Sequence, residues 1–282
     1  DNTMIIITSD NGMEFPYAKA NCTEFGIHMP LAICWKNKIP AKQQVDDLVG
    51  FIDLTATIHD AFEIKDRERF PLSGQSILSI LTKSSKSKNS NRINAIFSGR
   101  ERHSSSRFNT LGYPQRCLRT DKFLFVRNYK PERWPAGPGQ KYKNRSGSEL
   151  GPEHSGYHDI DACPTLDYLI KGRSDPKNSK YFLLATDKRP YEQLFDIIND
   201  PGCTNDLATN SKYKKTFKKL SLELTNYLIK TSDPRETGNG NVFETYPRYS
   251  GIRWFPKPDW AEKNPRKIPP TPWLKSTLKI KK

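Results

Sequence analysis

The sequence predicts an α/β fold joined to a smaller antiparallel-sheet subdomain with a packed helix. Three observations carry that prediction. A short apolar run, Met4 to Ile7, opens the chain and stops at Thr8-Ser9-Asp10-Asn11-Gly12, as a buried strand running into a loop does. Strand-like and helix-like stretches then alternate, the signature of an α/β layer. Past residue 90 strand-like runs dominate, and a long amphipathic stretch follows them.

Taken in order, residues 3–9 predict a buried strand and "HMPLAICWK" (28–36) a second one, with a loop between. In "DDLVGFIDLTATIHDAF" (46–62) the first half reads as strand. The second half reads as helix, with Leu54, Ile58 and Phe62 four apart and Asp53 as N-cap. "SSKSKNSN" (84–91) is a polar surface loop or linker. "INAIFSG" (93–99) and "CLRTDKFLFVRNY" (117–129) are strands, the latter turning near Thr120-Asp121. Residues 130–158, rich in Pro, Gly, Lys and Arg, are irregular. "YFLLAT" (181–186) and "EQLFDII" (192–198) read as a further hairpin, and "NDPGCTND" (199–206) as a turn. Residues 211–230 form a basic helix whose stripe of Phe217, Leu220, Leu224, Tyr227 and Leu228 packs on a core. The Pro- and Trp-rich tail from 232 wraps the surface. The division expected is residues 1–110 for the α/β part and 111–282 for the subdomain.

With 35% hydrophobic and 27% charged residues in 282, the chain has the composition of a wet-surfaced globular protein. No apolar run approaches the ~18 residues of a membrane helix, so no membrane partner is expected. The chain starts on an acidic residue with no initiator Met and enters a strand at once, which predicts a fragment. The net charge of +15 is uneven. The first 70 residues hold 7 Lys/Arg against 11 Asp/Glu, the rest 39 against 20. Such a basic surface attracts polyanions, although a merely solvated basic face accounts for it too. Five cysteines (22, 34, 117, 163 and 203) contain no CxxC, which argues against zinc, and they fix no compartment.

Asp10 and Asn11 sit where a strand's carboxyl end delivers ligands in open α/β sheets. A carboxylate and an amide carbonyl are hard oxygen donors suited to Ca²⁺ or Mg²⁺. Gly12 allows a sharp turn, and Lys19 brings a point charge to an anionic substrate. Asp-Asn-Gly is also a common turn tripeptide.

The longer pattern shifts the balance between these. "TSDNG", Lys19 and "EFGIHMPL" (24–31) resemble the sulfatase family of the alkaline-phosphatase superfamily, with Glu24, Gly26 and Pro30 filling its Glu-x-Gly-x-x-x-Pro segment. His28 stands where many members have Arg. "FIDLTATIHDAF", "LSGQSILSIL" (72–81) and "EQLFDIINDPGCTNDLA" (192–208) resemble later stretches of that family in the same order. "GRERHSSS" (99–106) followed by "GYPQRCLRT" is most similar to the sulfamidase, or heparan N-sulfatase, branch.

The resemblance implies the C-terminal part of an alkaline-phosphatase-like α/β sulfatase domain. It implies that Asp10 and Asn11 bind calcium (magnesium as the alternative), that Lys19 touches sulfate, and that His103 serves the sugar or its leaving group. His103 also reads as a solvated loop histidine beside Arg100 and Arg102. The family's nucleophile, a formylglycine made in a Cys/Ser-x-Pro/Ala-x-Arg motif, is expected upstream. None of the five cysteines fits that motif, so the chain alone is expected to be inactive. A sulfated sugar is the implied substrate. The alternative is a non-catalytic protein that binds sulfated glycan. A related phosphonate monoester hydrolase stays open, and nucleic acid is not expected, since no DNA- or RNA-binding motif is present. Asn21-Cys22-Thr23 matches the glycosylation pattern, but a glycan beside Lys19 would crowd the pocket, so none is expected.

Overall fold

The computed structural model describes residues 2–64, 71–82 and 95–261. The predicted linker at 84–91 lies outside these residues. The first strand, β1 (Met4–Thr8), leads through a long loop to a one-turn helix, α1 (Glu24–Ile27), and then to β2 (Leu31–Trp35). β1 and β2 pair antiparallel, Met4 against Trp35 through Thr8 against Leu31. The alternation of side chains puts Ile33 and its neighbours inward, on a small core of Ile77, Ile80 and Leu81. Ile5 and Ile7 point the other way and are 52% and 66% exposed. The strand is where it was expected, but it is not buried: a two-stranded ribbon has one face without a layer over it.

Helix α2 (Phe51–Ala61) follows. Residues 46–50 form no strand, and the N-cap is Gly50 rather than Asp53. Asp53 instead sits at the third helical position, where its carboxylate accepts from the Gly50 N–H at 3.0 Å and from the Gln75 N–H at 2.8 Å. That is the returning arm of a capping box, and it also ties the helix to the next segment. Leu54 packs inward, whereas Phe62 is 70% exposed. A short helix, α3 (Leu78–Leu81), completes this small core.

The larger core surrounds a four-stranded antiparallel meander, β3 (Ala95–Arg100), β4 (Gln115–Thr120), β5 (Phe123–Asn128) and β6 (Glu192–Asp196). Its first strand comes from before residue 110, so the sheet crosses the expected division. Between β5 and β6 lie the irregular segment from 130 onward and two helices, α4 (Pro164–Lys171) and α5 (Ser179–Thr186). The stretch 181–186 is therefore helix, not the first arm of a hairpin. Its apolar residues serve one face of α5, with Ala185 buried against Leu166 and Leu169 of α4.

This sheet is buried on both faces, which explains apolar runs such as "FLFV". Leu118, Phe125 and Leu194 face Leu220, Leu224 and Leu228 of α6 (Lys214–Lys230). Cys117, Leu124, Val126 and Phe195 face the opposite way, onto Cys22, Cys203, Tyr17 and Ile27. The second layer is thus the loop that follows β1. After α6 the chain caps α7 (Pro234–Thr237) with Asp233 and runs back over the surface. There Glu244 pairs with Arg133 at 2.7 Å, and Phe255 is buried. The expected wrapping of the tail holds as far as residue 261. All five cysteines are free thiols.

Candidate functional site

The loop between β1 and α1 is held by backbone fit. A Cβ on Gly12 would lie 2.2 Å from the Phe25 carbonyl oxygen, and one on Gly26 would lie 2.4 Å from that of Ala18. Both positions require glycine because two backbones meet there. Gly12 thus serves close approach rather than a left-handed turn. Tyr17 and Ala20 do adopt left-handed conformations, with φ of 68° and 61°. Tyr17 is fixed there by its hydroxyl, which donates to the Cys203 carbonyl at 2.8 Å, and by the Thr23 hydroxyl, which donates to the Tyr17 carbonyl at 2.6 Å.

The Glu-x-Gly segment gains a structural account. Glu24 is buried, and its carboxylate accepts from Arg119 of β4 at 2.8 Å. His28 contributes to the same carboxylate, Nδ1 to Oε1 at 2.9 Å. So Glu24 anchors the loop to the sheet, Gly26 lets the loop close, and the Pro30 carbonyl accepts from Thr8 at 2.8 Å. These residues position the site rather than form it.

Lys19 projects from this loop to the segment His158–Asp161. Its Nζ lies 2.7 Å from Asp161 Oδ2 and 3.2 Å from Glu14 Oε1. Contact with the Asp161 carboxylate raises the Lys19 pKa and correspondingly lowers that of Asp161. The ammonium therefore stays charged, half-screened from water and aimed.

His103 reaches the same segment from the other side. Its Nδ1 lies 3.4 Å from Asp159 Oδ1. Lys19 and His103, far apart in sequence, thus bracket one short stretch of chain. With Nδ1–H turned to the carboxylate, Nε2 is the ring nitrogen left for a substrate.

Asp159 is the organising residue. It is buried, and one oxygen meets Arg107 Nη2 at 2.7 Å and Arg100 Nη2 at 3.1 Å. The other accepts from the Ser106 hydroxyl at 2.8 Å, the Ser104 hydroxyl at 3.0 Å and the Ser104 N–H at 3.2 Å. Burial alone would raise its pKa; Arg107, His103, Arg100 and Ser106 outweigh that and hold it far below the usual carboxylate range. Burial pushes Arg100 down to about 10, still protonated at neutral pH. One carboxylate therefore fixes the whole 100–107 loop that carries His103.

Asp10 and Asn11 follow the end of β1 as expected, but among the described residues no hydrogen bond or ion pair joins them to this cluster. Asn11 is engaged locally, its Nδ2 donating to the Gly12 carbonyl at 3.0 Å. Asp10 is exposed. Together they offer adjacent carboxylate and amide oxygens, and no cluster of three or more acidic, His or Cys ligands occurs among the described residues. A hard cation takes six to eight oxygens, so the pair fits as a minority of such a shell.

Sequence reasoning missed Asp159, Asp161 and the Ser104–Ser106 pair. The readable signal was "HDIDAC" (158–163), two aspartates alternating with a buried Ile160 inside a Pro/Gly-rich stretch. Asn21 is buried, its Nδ2 donating to the Lys19 carbonyl at 3.0 Å. A glycan would have no exit there.

Residues 1–64 match the protein-family model for the sulfatases. The chain is 26% identical over 234 residues to an ulvan-active sulfatase of Formosa agariphila, covering 83% of this chain and 34% of that protein. It is 25% identical over 257 residues to the N-sulphoglucosamine sulphohydrolase of Homo sapiens, covering 86% of this chain and 45% of that protein. The chain thus spans less than half the length of these relatives. Two solved structures share the fold at a TM-score of 0.51 and 16% identity, each over 83% of this chain. One is a complex with its substrate D-glucosamine-2-N,6-O-disulfate, matched over 36% of that chain; the other is a 2-O GAG sulfatase, matched over 38%. These matches make the chain similar to sulfatases in sequence, and similar in fold to solved sulfatase structures over most of its length.

Proposed function

We propose that this chain is part of a hydrolase that removes sulfate, as an ester or an N-sulfate, from a sugar. The observation that carries the reading is the convergence of Lys19 and His103 on the 158–161 segment. Lys19 is the sulfate contact. Its ammonium is kept protonated and pointed by Asp161, and an arriving sulfate offers it a second anionic partner. His103, its ring set by Asp159, meets the sugar or its leaving group through Nε2. Asp10 and Asn11 supply two oxygen ligands to a calcium ion, with magnesium as the alternative. The cation, when bound, offsets sulfate charge, and a formylglycine from outside this chain is the nucleophile.

The named relatives support the substrate class. One acts on ulvan, one is a sulphohydrolase of N-sulphoglucosamine, and one solved structure holds a disulfated glucosamine. The test is sulfate release from N- and O-sulfated glucosamine by the gene product that carries these residues. Release that a calcium chelator abolishes, and that calcium restores, is the expected result. No release from any sulfated sugar by a protein shown to carry the formylglycine would sink the reading.

A further inference from the structure

A second recess lies across Asp159 from the proposed sulfate site. It is a cleft of about 650 Å³, within the range of small-ligand sites. Trp134, Tyr157 and Trp260 line it, and so do Arg107, Arg133 and Lys188. Glu153 and Asp259 also border it, against a fourth cation, Lys257. Neither Lys19, His103 nor Asp161 lines it. The two places share one buried group: Asp159 faces His103 through Oδ1 and Arg107 through Oδ2.

Two buried N–H groups of the lining, Arg107 Nη1 and Trp260 Nε1, have no hydrogen-bond acceptor among the described residues, and a third, Arg133 Nε, has only Glu132 Oε1 at 3.7 Å. Arg107 is 3% exposed and Arg133 5%, so water does not readily satisfy them. A buried donor without a partner costs on the order of 1–3 kcal/mol, so unpaired donors beside one cleft favour a ligand that brings acceptor oxygens. The aromatic rings add flat apolar surface with a polar rim. Lys188 lies 4.7 Å above the Trp134 ring, and Arg133 lies 5.6 Å from that of Trp260. Flat apolar faces suit the C–H face of a pyranose, and the exposed ammonium groups of Lys188 and Lys257 suit sulfate or carboxylate oxygens, since Arg107 and Arg133 are already paired with Asp159 and Glu244.

We infer that this cleft binds an acidic sugar residue of a polyanionic glycan, at a place separate from the Lys19–His103 site. It holds a stretch of the same chain away from the reacting sulfate. The choice of glycan rests on the proposed function; the existence of the site does not.

The test is calorimetric titration of a heparin hexasaccharide into the chain, with its fully desulfated counterpart as a second arm. Lys188→Glu with Lys257→Glu, both exposed positions, is expected to weaken binding tenfold or more. Lys19→Ala removes only what the sulfate site contributes, so binding that survives it and is lost with the Lys188 and Lys257 changes belongs to this cleft, and failure of the sulfate-site reading and failure of this one are separable. Binding of the desulfated chain assigns the uronate carboxylate, and binding of the sulfated chain alone assigns the sulfate. Binding of neither overturns the proposal. So does an equal loss from Lys214→Glu with Lys218→Glu on α6, because attraction would then follow net charge alone.

Discussion

Asp159 and Lys19 show how much single residues decide here. Asp159 neutralises two buried arginines and accepts from two serines. Asp159→Asn removes the charge while keeping the shape, and leaves Arg100 and Arg107 uncompensated. Chemical denaturation is expected to show a loss of about 3–5 kcal/mol, the usual cost of breaking a buried pair; a loss under 1 kcal/mol would mean the arginines find other anions. Asp161→Asn differs, because Asp161 is half-exposed. Stability should stay nearly unchanged, whereas KM for a sulfated sugar should fall or hold and kcat should drop, since Lys19 loses the partner that aims it. A rise in KM with kcat unchanged would contradict that role. Lys19 was readable from sequence through its place after Asp-Asn-Gly and before Glu-x-Gly. Asp159 was not, because its partners lie some fifty residues upstream and nothing in a local pattern pairs "HDID" with "GRERHSSS".

At the scale of elements, the meander and α6 were legible for one physical reason. Their apolar periodicity comes from burial on a regular core, with Leu224 fully enclosed. Leu224→Ala is expected to cost about 2–5 kcal/mol in a denaturation experiment; a smaller cost would mean the α6 interface relaxes around the cavity. The stretch 181–186 misled because six apolar-rich residues are too few to separate helix from strand by period. The Asn178 carbonyl accepts from the Phe182 N–H at 3.1 Å, so a helical turn starts at the polar end of that run. Asp53 misled differently. An acidic residue near a helix start marks either the cap or the position three beyond it, and Gly50 took the cap.

The whole molecule adds an acid sensitivity. His158 has its pKa pushed down to about 4, first by burial and then by Lys141 and Arg253, with Asp159 opposing. A depressed folded value means stability is full above the unfolded value near 6.5 and falls as pH drops toward 4. At about 1.4 kcal/mol per unit the loss is about 3 kcal/mol at most, and solvent screening of the half-buried ring reduces it. Asp159, also depressed, costs stability only below the ordinary carboxylate range. Melting temperature against pH should therefore decline between pH 6.5 and 4, and His158→Gln should flatten that decline; an unchanged slope would place the titration elsewhere. Ile5 and Ile7 lie exposed on the ribbon within this chain, and no local pattern reveals that, because a continuous apolar run looks the same whether or not a layer covers it. The central claim is that Lys19 and His103 serve one bound sugar sulfate. A double-mutant cycle on kcat/KM for sulfate release, with Lys19→Ala, His103→Ala and both together, tests it most directly. Each single change is expected to cost a hundredfold or more, and the double change well short of the product. Single changes within twofold of the parent, or losses that simply multiply, would contradict a shared site.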